Sequence, residues 1–128
     1  MLNVLAVGLG GFIGSVFRYF LGLFIHSIFR QSTFPYGTLS ANILGCLIIG
    51  ILSGLVDHRI DLSATTRLFL FTGVLGGFTT FSTFSLDTLR LFQADSAGGL
   101  FLAFLYVVIH VVLGIIAAYL GHWLTQLL

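Results

Sequence analysis

Apolar residues fill four long stretches of this 128-residue chain, and most polar residues fall between them. The stretches run from about Leu2 to Ile28, Thr38 to Val56, Leu68 to Leu89 and Gly99 to Leu124. Each is close to the roughly 20 residues that an α-helix needs to cross the hydrocarbon core of a bilayer. The pattern predicts an all-α integral membrane protein with four transmembrane helices in a single domain, residues 1–128. The links are short. Residues 29–37 hold Arg30 and the only proline, Pro35; residues 57–67 hold Asp57, His58, Arg59, Asp61 and Arg67; residues 90–98 hold Arg90, Asp95 and Gly98. None leaves room for a water-soluble domain. The amino terminus is apolar from its first residues, with no positive segment ahead and no small-residue cleavage pattern behind, so it reads as a retained first span.

The third stretch breaks the pattern. It carries Thr72, Thr79, Thr80, Ser82, Thr83 and Ser85, together with a Gly76–Gly77 pair. Backbone groups freed from a helix at bilayer depth must be covered by protein or line a cavity. A break in the third helix that lines something polar is therefore expected. Formal charge is almost absent there, which points to a path for a small solute and away from a reaction chamber. Phe81 and Phe84, three apart, share a helix face, and Phe78 extends the stripe. Such a stripe serves ordinary packing equally well. Its other use rests on the ring quadrupole, whose positive edge can hold an anion weakly enough to release it, as conduction requires. The hydroxyls of Ser82 and Thr83 either donate to a dehydrated anion or bond back to a carbonyl one turn earlier.

Further polar positions inside the spans include Asn42, Arg18, Tyr106 and His110. Asn42 either pins two helices or lines a path. Arg18, the deepest charge, draws anions into a vestibule or pairs with an aspartate or with helix carbonyls. Tyr106, His110 and Gly114 share one face of the fourth helix, where His110 is either a satisfied interhelical bond or a secondary lining residue.

Composition narrows the classes. The mean hydropathy is +1.13, and only 7% of residues are charged, with five Arg, four Asp, and neither Lys nor Glu. No basic run exists to neutralise nucleic-acid phosphates. Cys46 is alone, so it forms no internal disulfide, and an apolar position makes it a small packing residue. No nucleophile has an aligned base and no metal-ligand cluster is visible, so an enzyme is not expected. Small residues recur four apart at Gly10 and Gly14, Gly50 and Gly54, Gly73 and Gly77, and Gly114 and Ala118, a spacing that lets helix backbones approach closely in lipid. Tyr119 and Trp123 suit an interfacial aromatic belt. Loops one and three carry Arg30 and Arg90, and loop two carries Arg59 and Arg67, so the charge bias that sets topology vanishes. Such a chain can insert either way up, and two inverted copies can pair; closed two-fold pairs are the commonest oligomers.

The chain resembles the CrcB/Fluc fluoride channels over essentially its whole length. The resemblance rests on Gly10-Gly11-Phe12-Ile13-Gly14 followed by Arg18-Tyr19, on Pro35-Tyr36-Gly37-Thr38-Leu39 with Asn42 and Gly45, and above all on the run from Gly76 to Ser85. It implies an antiparallel, dual-topology homodimer in the bacterial inner membrane, with two narrow fluoride pores. It implies that Phe81 and Phe84 meet fluoride with their ring edges, that Asn42, Ser82 and Thr83 line the pore, and that Tyr106 and His110 belong to a polar track. It also implies a central structural Na+ held by the backbone carbonyls of Gly76 and Thr79 from each subunit. Gly114 supplies no hydroxyl to the track. Two rivals stand beside this reading. A small multidrug exporter needs an intramembrane carboxylate, and the chain has no Glu, with Asp87 only near the end of the third span. A non-transporting assembly subunit needs packing motifs but no hydroxyl-rich break.

Overall fold

The computed structural model describes residues 1–94 and 98–127, all of which are helix or short connection. Asp95, expected in the third link, lies outside the described residues. Helix α1 spans Leu2–Ile28 and α2 spans Tyr36–His58. Pro35, which has no N–H to leave unpaired, stands at the N-cap of α2, so this helix starts two residues ahead of the expected Thr38. The third span begins at α3, Ala64–Arg67, where the Ser63 hydroxyl caps the Thr66 N–H at 3.1 Å. It continues as a π-helical stretch, Leu68–Leu75, and then α4, Gly76–Phe78. After a break at Thr79 and Thr80 it resumes as α5, Phe81–Gln93. Helix α6 spans Gly99–Leu124. Four helical segments, Leu2–Ile28, Tyr36–His58, Ala64–Gln93 and Gly99–Leu124, are long and apolar enough to cross a membrane.

The small-residue pairs account for the packing. Helix α1 lies along the π-helical stretch and α4, while α2 lies along α6, which also receives α5. A Cβ on Gly10 would sit 2.5 Å from the Phe69 carbonyl oxygen, and one on Gly77 would sit 2.5 Å from that of Gly11. A Cβ on Gly14 would collide with the Val74 carbonyl, and one on Gly50 with that of Ala118. Backbones this close gain dispersion contacts that lipid tails cannot replace. Cys46 lies half-buried, its Sγ facing Gly114. Leu91, Ala103 and Tyr106 form a small buried cluster with Phe34, Leu39, Phe84 and Leu102 around it. Outer faces are apolar and exposed, with Tyr119 and Trp123 among them.

Gly14→Ala is therefore expected to lower the thermal unfolding midpoint in detergent sharply, because the obstacle is backbone. Gly8→Ala is expected to leave it unchanged or raise it slightly, since that position meets nothing within 4 Å and alanine favours a helix by about 1 kcal/mol. Equal midpoints for the two variants would disprove the close α1 contact.

Candidate functional site: the break in the third span

Two consecutive extended residues make the break. Thr79 has φ −86° and ψ 160°, and Thr80 has φ −153° and ψ 118°. Side chains from other helices cover the backbone groups released. Asn42 on α2 forms a reciprocal pair with Thr80: its Oδ1 accepts from the Thr80 N–H at 2.8 Å and its Nδ2 donates to the Thr80 carbonyl at 3.0 Å. Arg18 on α1 donates to the Thr79 carbonyl at 3.3 Å. Of the protein partners open to Arg18, the structure shows a helix carbonyl. Asn42 both pins the break and walls the adjacent cleft.

The hydroxyls divide into two kinds. Thr79 bonds back to the Leu75 carbonyl at 2.9 Å and Ser85 to that of Phe81 at 3.0 Å. Ser82 and Thr83 do not follow that pattern; they gather around the Thr80 hydroxyl, at 3.2 and 3.1 Å. The Thr80 oxygen also accepts the Thr83 N–H at 3.2 Å and so caps α5. Its one hydrogen goes to the Thr83 oxygen, which leaves the Thr83 hydroxyl hydrogen for another acceptor. Thr72 lies exposed in the π-helical stretch, apart from this cluster.

Phe81 and Phe84 do share a face of α5, with ring centroids 5.6 Å apart. Phe78 does not extend their stripe. The break separates it from α5, and its ring packs toward Gly45 instead. Phe84 rests on Tyr106 at 5.6 Å and on His110 at 4.5 Å, whereas Phe81 is 79% exposed. The two rings, Asn42, Gly76, Thr79, Thr80 and His110 wall a cleft of about 430 Å³ that no formally charged side chain lines. Ser82 and Thr83 stand beside its wall rather than in it. The Nε2 of His110 lies 3.2 Å from the Asn42 Nδ2. Tyr106 is completely buried, and its hydroxyl, like the Nδ1 of His110, has no hydrogen-bond partner among the described residues.

One pair escapes sequence reasoning. The Thr38 hydroxyl donates to Asp87 Oδ2 at 2.6 Å, and Arg90 stands 3.9 Å from Asp87 Oδ1. Asp87 is only 9% exposed, and it walls a second cleft of about 620 Å³ together with Arg90 and Pro35. The available signal was its place three residues after Phe84, on the same helix face.

The break also decides which main-chain oxygens lose a helical partner. In an unbroken helix the Thr80 N–H would bond the Gly76 carbonyl; here it goes to Asn42, so the Gly76 oxygen is released from that bond. The Thr79 oxygen carries the Arg18 contact on one of its two lone pairs. Carbonyl oxygens at an unwound helix suit Na+, with the Arg18 guanidinium as the local competitor.

The chain matches the family described as "CrcB-like protein, Camphor Resistance (CrcB)" over residues 5–122. It is 47% identical over 121 residues to a protein of Agrobacterium fabrum named fluoride-specific ion channel FluC, with 94% of each chain covered. A Phocaeicola vulgatus protein of the same name is 45% identical over 129 residues, covering 98% of this chain and 100% of its own. One from Ruminiclostridium cellulolyticum, again of that name, is 50% identical over 97 residues, covering 76% and 74%.

Proposed function

The chain belongs to the CrcB family, and from that premise we propose that it is a fluoride-selective channel through which the anion leaves the cell passively. The observation that carries this reading is the uncharged cleft at the break, where two phenylalanine rings, an asparagine amide and a helix-cap hydroxyl cluster converge. Its relatives are named as ion channels, and no catalytic role is assigned to any residue.

Ring edges of Phe81 and Phe84 offer a weak positive field on one side of the path. Hydrogen-bond donors complete the coordination: the free Thr83 hydroxyl hydrogen, and the Ser82 hydroxyl and Asn42 amide where they exchange a present bond for the anion. Tyr106 and His110, which hold buried polar atoms without partners among the described residues, continue a polar track behind Phe84. Such a lining replaces part of the hydration shell without a full cation that would trap the ion. Arg18 and the Arg90-lined cleft give the anion an approach. Fluoride accumulates because its weak acid crosses bilayers as neutral HF and dissociates in a less acidic cytoplasm. A potential negative inside then drives the anion outward by about 2.3 kcal/mol per charge at 100 mV. Neither ATP nor a coupled proton is required.

A second, inverted copy of the chain completes the conduit. A ring as exposed as Phe81, at 79%, lines a narrow path only when something covers it, and the balanced arginine count permits both orientations. An antiparallel homodimer then has two pores, one per broken helix. The carbonyls of Gly76 and Thr79 from both chains would hold a central Na+, which supplies a fixed positive charge between the breaks. Bacterial relatives named as ion channels and four apolar helices support a place in a bacterial inner membrane.

Purified protein in liposomes is expected to release fluoride rapidly, read with a fluoride electrode, while chloride-loaded liposomes lose little. Absence of fluoride release from folded, dimeric protein would overturn the reading and leave the drug-export and assembly alternatives to be assayed.

A further inference from the structure

The hydrogen bonds around Asn42 fix the protonation state of a neighbour. An amide is easily turned end for end in a structure, and only its partners decide which end is nitrogen. For Asn42 both deciding partners are main-chain atoms of Thr80. The Thr80 N–H can only donate, at 2.8 Å, so it meets Oδ1; the Thr80 carbonyl can only accept, at 3.0 Å, so it meets Nδ2. The second Nδ2 hydrogen is then directed to Nε2 of His110 at 3.2 Å. To accept it, Nε2 must be unprotonated, and a neutral imidazole must carry its hydrogen on Nδ1. All three hydrogen-bonding valences used here leave Asn42 no free N–H.

This arrangement conflicts with Asn42 as an anion ligand, and the conflict resolves only if one bond is exchangeable. The two bonds to Thr80 hold the break. The bond to His110 is the longest of the three and is the one a proton can dissolve. We propose that His110 is a proton-operated latch on Asn42: the neutral ring occupies the amide hydrogen that fluoride would need, and the protonated ring releases it. On taking up a proton from water, Nε2 becomes a donor. It then repels the Asn42 N–H, which turns to an anion in the cleft. His110 is thus a positioning residue in both states, holding the amide hydrogen when neutral and releasing it when protonated.

The surroundings bear on how the latch is set. From α2, Asn42 and the thiol of Cys46 share the cleft with the ring. From α5, Phe84 lies against it and Asp87, tied to Thr38 and Arg90, is the formal charge acting on it. On α6 itself, Tyr106 sits one turn away at 4.4 Å between ring centroids.

The inference rests on the channel reading above, and the test separates the two. Fluoride current across a planar bilayer avoids the electroneutral leak of HF. It is to be recorded from about pH 8 to pH 5, the range in which a histidine titrates, for wild type, His110→Gln and His110→Leu. Wild-type current is expected to rise severalfold on acidification along a single-proton curve. His110→Gln, whose side-chain oxygen can still accept from Asn42, is expected to give a low current that is flat with pH. His110→Leu, with no acceptor, is expected to give a flat current nearer the acid wild-type level. A wild-type current that does not change with pH overturns the latch, without recourse to any variant. So does a pH profile that persists unchanged in either variant. No fluoride current at any pH would overturn the channel reading itself.

Discussion

Asn42→Ala is expected to abolish fluoride efflux and to lower the thermal unfolding midpoint together. The substitution strips the partner from both the N–H and the carbonyl of Thr80. A part-buried main-chain group left unpaired costs roughly 1–3 kcal/mol, and two are left here within one residue. The extended backbone at Thr79 and Thr80 then keeps the Arg18 contact but loses its hold on α2, and the rings of α5 lose their fixed position relative to that helix. Asn42→Asp divides the two effects. A carboxylate still accepts from the Thr80 N–H but cannot donate to its carbonyl, and it sets a negative charge in the wall of the anion path. Its efflux is expected to be as low as that of Asn42→Ala with a smaller loss of stability. Wild-type efflux from Asn42→Ala, measured in the same liposomes, would show that the clasp has no part in conduction.

Replacing Phe81 or Phe84 by isoleucine is expected to reduce fluoride efflux by at least about tenfold, the equivalent of 1.4 kcal/mol. Isoleucine keeps an apolar side chain of comparable reach but has no quadrupole, so only the edge-on electrostatic contact is lost. The two positions should part company in stability. Phe81 is 79% exposed and meets chiefly Phe84, so its replacement should leave the unfolding midpoint of the chain nearly unchanged. Phe84 rests on both Tyr106 and His110, and losing those ring contacts should cost about 1 kcal/mol. Undiminished efflux from both variants, at wild-type protein density, would exclude the rings from the path and favour the assembly-subunit alternative.

Much of this architecture can be read from hydropathy and small residues alone. Lipid forces backbone groups to be satisfied within helices, so four long apolar stretches leave little freedom, and Leu2–Ile28 and Gly99–Leu124 emerge at the anticipated residues. The glycine spacing likewise identified the contacts of Gly10, Gly14 and Gly50. Local chemistry was less legible. That the third span breaks was evident from its hydroxyls, but its π-helical stretch was not, because no local propensity distinguishes that winding from an α-helix. The reading of Phe78 with Phe81 and Phe84 assumed a continuous helix through the break, and the extended pair Thr79–Thr80 removes that assumption. Of the two alternatives for Asn42, pinning is seen in its bonds to Thr80, while lining a path belongs to the proposed channel. The Thr38–Asp87 and Asn42–His110 pairs join residues 49 and 68 positions apart. Such pairs depend on how α2, α5 and α6 come together, which a single sequence does not specify.

The break has an electrostatic consequence beyond exposing a few backbone atoms. Peptide dipoles aligned along a helix amount to roughly half a positive charge at its N-terminus and half a negative charge at its C-terminus. In one uninterrupted span those ends would lie at opposite surfaces of the bilayer, dissipated in water. Interrupting the span at Thr79 and Thr80 brings a C-terminus, ending at Phe78, and an N-terminus, beginning at Phe81, to the same depth. Fractional charge of both signs is thereby available side by side, the positive end suited to an anion and the negative end to a cation. A formal charge there would carry a heavy desolvation cost. A chain with only 7% charged residues so acquires from its main chain a polarised centre beside Arg18, one that no side-chain titration can switch off.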